Sequence, residues 1–269
     1  MPRVEIRLLR DLGEFRACER LQKEVWGTLA AGSELLSVTQ KYAGVVLGAL
    51  VKERVIGFVY AFLARHHGRL IHWSHMMAVD ARYRDQGLGF RMKLAHRKLA
   101  LQQGVKAICW TYDPLESRNA TLNLRRLGAR VEEYIPDCYG HFPSVIEKGL
   151  PSDRFVVDWR ISTGRVERHL QSVAPPPDPS LPRVNETRLG ARGFVENRRI
   201  RLHLREPRLL AEIPPDTDAM RVQDLPLARR WRMETREIFG QYFKAGYAVE
   251  DFLPPAGDRG CFYLLGRRR

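Results

Sequence analysis

The chain has 269 residues, 44% of them hydrophobic, which is enough to bury one large core or two modest ones. Its net charge is +14, but the basic residues are spread along the whole chain rather than gathered in one tract, which argues against nucleic acid as the main partner.

Four cysteines far apart, with no CxxC, predict neither a metal site nor a disulfide framework and favour a reducing compartment. No apolar run approaches the roughly 18 residues that cross a bilayer, and the N-terminus lacks a signal-peptide core. We therefore expect a cytoplasmic protein with no membrane partner.

The first 70 residues predict alternating strands and helices. Residues 4–9 alternate as a strand, and 11–26 form an amphipathic helix for which Asp11 is the candidate N-cap. A short helix is expected from Ser33. Residues 44–51 and 54–63 are β-rich runs joined by two residues, so they predict a hairpin.

The stretch from Ile71 to Gly104 predicts a strand, a basic turn and an amphipathic helix. One face of the helix is apolar, with residues spaced four, three and four apart: Leu88, Met92, Ala95 and Leu99. Five basic or titratable residues fall mostly on the other side: Arg91, Lys93, His96, Arg97 and Lys98. The sequence therefore predicts that the first set faces the core and the second faces solvent.

The turn between this strand and helix has the features of a pyrophosphate site. It reads Arg84, Asp85, Gln86, Gly87, Leu88 and Gly89. Two glycines separated by one residue let the backbone approach a ligand, and the N–H groups of the following helix point at it. The fingerprint GxGxxG fails because position 92 is methionine, and no GxxxxGK[ST] is present.

The remainder of the chain predicts two further parts. Residues 105–112 form a strand, a helix capped by Asp113 runs to Leu127, and strands follow at 129–135 and 155–161. Residues 166–185 are a proline-rich linker. Beyond the linker we expect strands at 198–204, 209–213 and 261–265. A helix capped by Asp224 is expected to run to Ala245, with five residues facing inward: Ala228, Trp231, Ile238, Phe239 and Tyr242. The predicted domains are therefore 1–165 and 186–269, the second a small α+β domain that docks on the first or supports a homodimer.

The turn resembles the Arg/Gln-x-x-Gly-x-Gly/Ala signature of the GNAT superfamily of N-acyltransferases, with Arg84, Gly87 and Gly89 at the defining positions. The preceding Met77–Asp80 stretch is similar to the end of that family's fourth strand. The resemblance covers about residues 4–162. It implies an α/β fold with a mixed, mostly antiparallel sheet, flanked by helices and splayed between strands 4 and 5.

The resemblance also implies acetyl-CoA, or another acyl-CoA, as co-substrate. Backbone groups of Met77, Ala78 and Val79 would contact the thioester and pantetheine, and the amides of residues 84–89 would hold the pyrophosphate. Asn119 resembles an asparagine that contacts the CoA arm. Asn123, four residues on, is expected to share its face.

The sequence leaves two catalytic roles to assign, the general base and the proton donor. Strict alternation places His75 on one face with Trp73, Met77 and Val79, and His75 is the best base on that strand, with a water relay as the alternative. Relatives carry a tyrosine as proton donor four residues before a glycine, but here that position is leucine: Leu124 precedes Gly128. Tyr139 is therefore a candidate donor or acceptor-pocket residue, alongside Tyr112 and Tyr134.

The predicted function is transfer of an acyl group from CoA to a primary amine by direct attack in a ternary complex. The expected acceptor is a small amine or amino acid, with a protein amine as an alternative. The rival functions are a non-catalytic CoA-binding protein and a nucleic-acid-associated protein.

Overall fold

The computed structural model describes residues 3–28, 30–140, 149–256 and 260–268. The chain divides into two compact units. The first runs to Trp110 and takes in Arg160–Ser162, and the second contains most of the described residues beyond Trp110.

The first unit contains a sheet and three helices. Its elements in chain order are β1 (Val4–Leu8), α1 (Leu12–Trp26), α2 (Ser33–Tyr42), β2 (Gly44–Val51), β3 (Arg54–His66), β4 (Arg69–Val79), a 3₁₀ turn (Ala81–Tyr83), α3 (Leu88–Gln102) and β5, which begins at Ile108 and ends at Tyr112 in the second unit. The strands are ordered β1-β2-β3-β4-β5. All neighbours are antiparallel except β4 and β5, which are parallel. The predicted mixed, largely antiparallel sheet flanked by helices is confirmed.

The two faces of this sheet have separate cores. On one face, α1 and α2 bury Phe15 and Leu36 against strand residues such as Phe58. On the other, α3 buries Leu88 and Met92 against residues of β2 and β3. The helix bounds follow local chemistry: the Asp11 side chain accepts the Glu14 N–H at the start of α1, as the sequence predicts.

The second unit contains a five-stranded sheet and a separate hairpin. Its elements are α4 (Ser117–Ala120), a π-helical segment (Thr121–Arg126), β6 (Arg130–Ile135), β7 (Arg154–Trp159), α5 (Gly164–Leu170), β8 (Asn185–Leu189), β9 (Val195–Ile200), β10 (Arg208–Ile213), α6 (Thr217–Gln223), α7 (Leu225–Lys244), β11 (Tyr247–Leu253) and β12 (Cys261–Arg267). The sheet order is β7-β6-β11-β12-β10, and β8 pairs with β9.

The long helix α7 is the best-predicted element of the second unit. Asp224 accepts the Leu227 N–H and caps the helix, as expected. The five predicted inward residues are all buried: Ala228, Trp231, Ile238, Phe239 and Tyr242. These apolar residues recur at helical spacing and define one face, although Arg232 and Thr235 are also buried on this helix.

The predicted helix from Asp113 is wrong at its start. The helix begins at Ser117, and Asp113 accepts the N–H of Leu115 in a tight turn. The Asp113 carboxylate also pairs with Arg232, whose side chain is 1% exposed. Because Asp113 pairs with Arg232, far away in sequence, its side chain does not cap the helix as the local sequence predicts.

Other bounds also differ from the predictions. The strand expected at 198–204 lies at Val195–Ile200 instead, and α5, β8, α6 and β11 were not predicted. The units divide at Trp110, inside a strand, whereas the predicted domains divide at the proline-rich stretch. Compact packing units and domains are different divisions of a chain, so the limits 1–165, 166–185 and 186–269 stay a prediction. No helix within the described residues has the length and apolar character needed to cross a membrane.

Candidate active site

The loop between β4 and α3 presents backbone to solvent. Gly87 is the N-cap of α3, in the left-handed region at φ +72°, and it supplies no side chain to the first N–H groups of the helix. A Cβ at Gly87 would meet nothing within 4 Å, so the space beside this residue at the start of α3 is open. The preceding Arg84, Asp85 and Gln86 are all exposed. The residues present fit a phosphate group, because α3 directs its positive dipole end at this loop.

Side chains fix the base of the loop. Asp80, 6% exposed, caps the 3₁₀ turn by accepting the Arg82 backbone N–H at 3.0 Å. It also pairs with the Arg82 and Arg54 guanidinium groups, and the hydrogen bond from Arg82 is the main cause that lowers the pKa of Asp80. Arg84 Nε donates to the Val79 carbonyl at 3.0 Å. The loop is therefore anchored to the end of β4.

The edge of β4 that precedes the loop is open within the first unit. β5 pairs in parallel with His72 and Trp73 of β4. Beyond Trp73, no described strand of this unit pairs with that edge of β4. Asp80 N–H donates to Ile56 of β3, so by alternation Ala78 also directs its backbone groups to β3. Met77 and Val79 direct theirs to the open side. An extended pantetheine chain could bind this edge by accepting and donating hydrogen bonds.

A β-bulge at His75 corrects the predicted faces of β4. Tyr60 of β3 pairs with Met76 and Ala61 pairs with Ser74, so His75 is the extra residue. Strict alternation placed His75 with Met77 and Val79, and this is wrong. His75 lies beside the rings of Tyr60 and Phe62, on the α1–α2 face. Met77 and Val79 pack on the α3 face instead.

The surroundings of His75 suit a base. Its ring lies 6.0 Å from those of both Tyr60 and Phe62, and part of its side chain remains exposed. Burial against these rings lowers the pKa of His75 below its usual 6.5. The imidazole is therefore neutral at pH 7 and can accept a proton from a ligand on the α1–α2 face.

Lys93 and His96 of α3 are buried, contrary to the prediction that they face solvent. Lys93 is 2% exposed, and its Nζ donates to Ser74 Oγ at 3.1 Å and lies 3.6 Å from the centre of the Trp110 ring. Burial lowers the pKa of Lys93 to about 7. His96 is fully buried and stacks on His72, with Nε2 at 3.0 Å from His72 Nδ1. The sequence signal was too weak to find this cluster, since charged residues on a helix usually face water.

Three predicted site residues lie in the second unit. Asn119 is exposed and Asn123 is 3% exposed, so they do not share an exposed face as expected. The reason is the π-helical segment after α4, which breaks the α-helical spacing between them. Tyr139 is 45% exposed, and its hydroxyl lies 2.9 Å from Thr111 Oγ1. Leu124 is fully buried among apolar side chains.

Residues 14–128 match the model of the acetyltransferase (GNAT) family. The match covers less than half of the chain, and a long C-terminal region lies outside it. No curated protein sequence matches the chain.

Several solved structures resemble the fold. NAA60 of Arabidopsis thaliana, in complex with acetyl-CoA, is 12% identical, covers 59% of this chain and 99% of its own, and has a TM-score of 0.49. The NatC complex bound to Gag peptide and CoA is 13% identical, with 58% and 98% covered and a TM-score of 0.48. Aminoglycoside 6'-acetyltransferase type Ii is 14% identical, with 59% and 98% covered and a TM-score of 0.47.

Proposed function

We propose that the protein is a CoA-dependent N-acyltransferase that moves an acyl group, acetyl by default, from acyl-CoA to a primary amine. The observation that carries the proposal is the open, anchored loop at Arg84–Gly89, joined to a strand edge where the backbone groups of Met77 and Val79 point away from β3. The match of this segment to an acetyltransferase family supports it. The acceptor is a small amine or amino acid, or a protein amine.

Each part of the site has a task in this reaction. The loop amides hold the pyrophosphate, and the open edge of β4 positions the pantetheine and polarises the thioester carbonyl. On the α1–α2 face, His75 takes a proton from the acceptor ammonium, which must be neutral to attack. The amine nitrogen then bonds to the carbonyl carbon and loses a second proton, which His75 takes after passing the first to solvent; the C–S bond breaks, the amide forms and CoA leaves as a thiolate. Tyr139, Asn119 and Asn123 stay candidates for contacts to substrate or CoA.

The experiment is turnover of acetyl-CoA against a panel of amines, with release of free thiol as the readout. We expect at least one amine to give turnover. His75→Ala should lower kcat by about 100-fold or more, because removal of a general base costs at least that factor. The wild-type rate should rise with pH as His75 loses its proton, at a pH below the ordinary histidine range because burial lowers its pKa, and this rise should be absent in the variant.

The outcomes separate the hypotheses. CoA binding without thiol release for any amine would favour a non-catalytic CoA-binding protein. Turnover with an unchanged pH profile in His75→Ala would contradict the assignment of His75 and favour a water relay.

A further inference from the structure

The proposed reaction leaves one proton unassigned. The departing thiolate must be protonated. The resemblance to the GNAT superfamily places a tyrosine donor at position 124, but this position holds a buried leucine. On the α3 face of β4, the first unit holds a buried amine that the preceding steps do not use: the Lys93 side chain.

The contacts of Lys93 place its amine at the point where β4 and β5 stop pairing. The last paired residues are Trp73 and Cys109, and the next residue on each strand contacts Lys93: Ser74 through its hydroxyl and Trp110 through its ring. The side chain thus reaches from α3 to the start of the open edge of β4. Among the described residues no carboxylate forms an ion pair with Lys93.

The groups that face Lys93 leave it without a counter-ion. Ser74 and His72 approach from β4, Trp110 from β5 and His96 from α3, and none of them carries a negative charge. His96 Nδ1 is buried and has no hydrogen-bond partner. A buried ammonium without a carboxylate is costly, and an apolar side chain of similar length would fill the same space at lower cost. A packing role therefore does not explain a lysine here.

The group that would take protons from the acceptor and the group that would protonate the thiolate lie on opposite faces of β4. The loop that would bind the pyrophosphate leads into α3, and α3 packs on the face of Met77 and Val79, so CoA approaches from that side. His75 lies on the opposite face, where the amine would enter. Lys93 is thus on the leaving-group side and His75 on the nucleophile side.

We propose that Lys93 is the acid that protonates the departing CoA thiolate, an inference that rests on the proposed N-acyltransfer. As the C–S bond breaks, an N–H bond of the Lys93 ammonium breaks and an S–H bond forms, which leaves a neutral amine and free CoA. The two protons lost by the acceptor nitrogen, one before attack and one as the amide forms, pass in turn to His75 and then to solvent. Lys93 regains a proton from solvent before the next turnover, so protons balance and no other reactant is needed.

The test compares two substitutions of Lys93 with one control on the same helix. Lys93→Met keeps the length of the side chain and removes the proton, whereas Lys93→Arg keeps the charge in a group that holds its proton too tightly to give it up. Lys98→Met is the matched control because Lys98 is exposed. Turnover, its pH profile and the affinity for acetyl-CoA are measured for each.

We expect Lys93→Met and Lys93→Arg to lose about 100-fold or more in kcat while acetyl-CoA affinity stays within about threefold, as for removal of a general acid. The wild-type rate should fall above pH 7 as Lys93 loses its proton, since the pKa of Lys93 is about 7, and this limb should be absent in Lys93→Met. Lys98→Met should match the wild type.

Wild-type turnover in Lys93→Met, or recovery of activity in Lys93→Arg, would overturn the assignment and leave the N-acyltransferase function standing. A wild-type protein that binds acetyl-CoA but acylates no amine would instead overturn the proposed function, and the role of Lys93 would fall with it.

Discussion

Lys93→Met is expected to make the protein more stable than the wild type at pH 7, and the difference should shrink as the pH rises. The pKa of Lys93 is lowered from 10.5 to about 7 by burial, so between these values the unfolded chain holds a proton that the folded chain has lost. Wild-type stability therefore rises with pH through this interval. At about 1.4 kcal/mol per pH unit, the full interval corresponds to something on the order of 4–5 kcal/mol.

The measurement is urea unfolding of both proteins at several pH values between 7 and 10. Comparing wild type with variant cancels the contributions of other titrating groups. Lys98→Met controls for loss of a positive charge on α3 and should show no such slope, because its ammonium is exposed. A stability difference between Lys93→Met and wild type that does not change with pH would show that the folded protein keeps the ordinary pKa of Lys93.

Arg232→Met is expected to destabilise the protein by about 3–5 kcal/mol, the usual cost of removing one partner of a buried ion pair. Arg232 is 1% exposed, and its two terminal nitrogens bond to the two carboxylate oxygens of Asp113, one at 2.8 Å. Burial opposes the charge on Asp113, but the Arg232 guanidinium outweighs it and lowers the pKa of Asp113. Without Arg232, the Asp113 carboxylate, 22% exposed, loses its ion-pair partner and keeps the hydrogen bond from the Leu115 N–H.

A double variant shows whether the unpaired charge is the cause. Asp113→Asn combined with Arg232→Met should recover a large part of the lost free energy of unfolding, because replacing both partners is far less costly than removing one. Arg268→Met removes an exposed pair with Glu132 and should change stability by at most about 1 kcal/mol. Equal losses in Arg268→Met and Arg232→Met would contradict this account.

Elements with strong local signals could be predicted from the sequence. The bounds of β2 were predicted to the residue, and the inward face of α7 was correct, because periodic apolar residues, glycines and caps act over a few neighbours. The glycine-containing turn between β4 and α3 was located for the same reason, since its glycines and the helix N-terminus are contiguous in the chain.

The missed features depend on residues far apart in sequence. The bulge at His75 arises in the pairing of β3 with β4, and one inserted residue reverses every later assignment of faces. Lys93 is buried because Ser74 and Trp110 surround it, which no window of α3 alone can show. Asp113 has a good capping sequence, but Arg232, more than a hundred residues later, pairs with it.

The most direct test of the central claim is thermal unfolding of the purified protein with and without acetyl-CoA. A ligand at about 100 times its dissociation constant stabilises the native state by about 2.7 kcal/mol, a shift of roughly 5–10 °C in Tm for a chain of this size. Gly87→Val should lose the shift because its side chain would fill the open space at the start of α3. Gly104→Val is the matched control: it has the same backbone strain at φ +73° in open space at the other end of α3, and should keep the shift.

The account predicts a shift for the wild type and Gly104→Val, and none for Gly87→Val. No shift in the wild type with acetyl-CoA, succinyl-CoA or free CoA would contradict it, as would an undiminished shift in Gly87→Val.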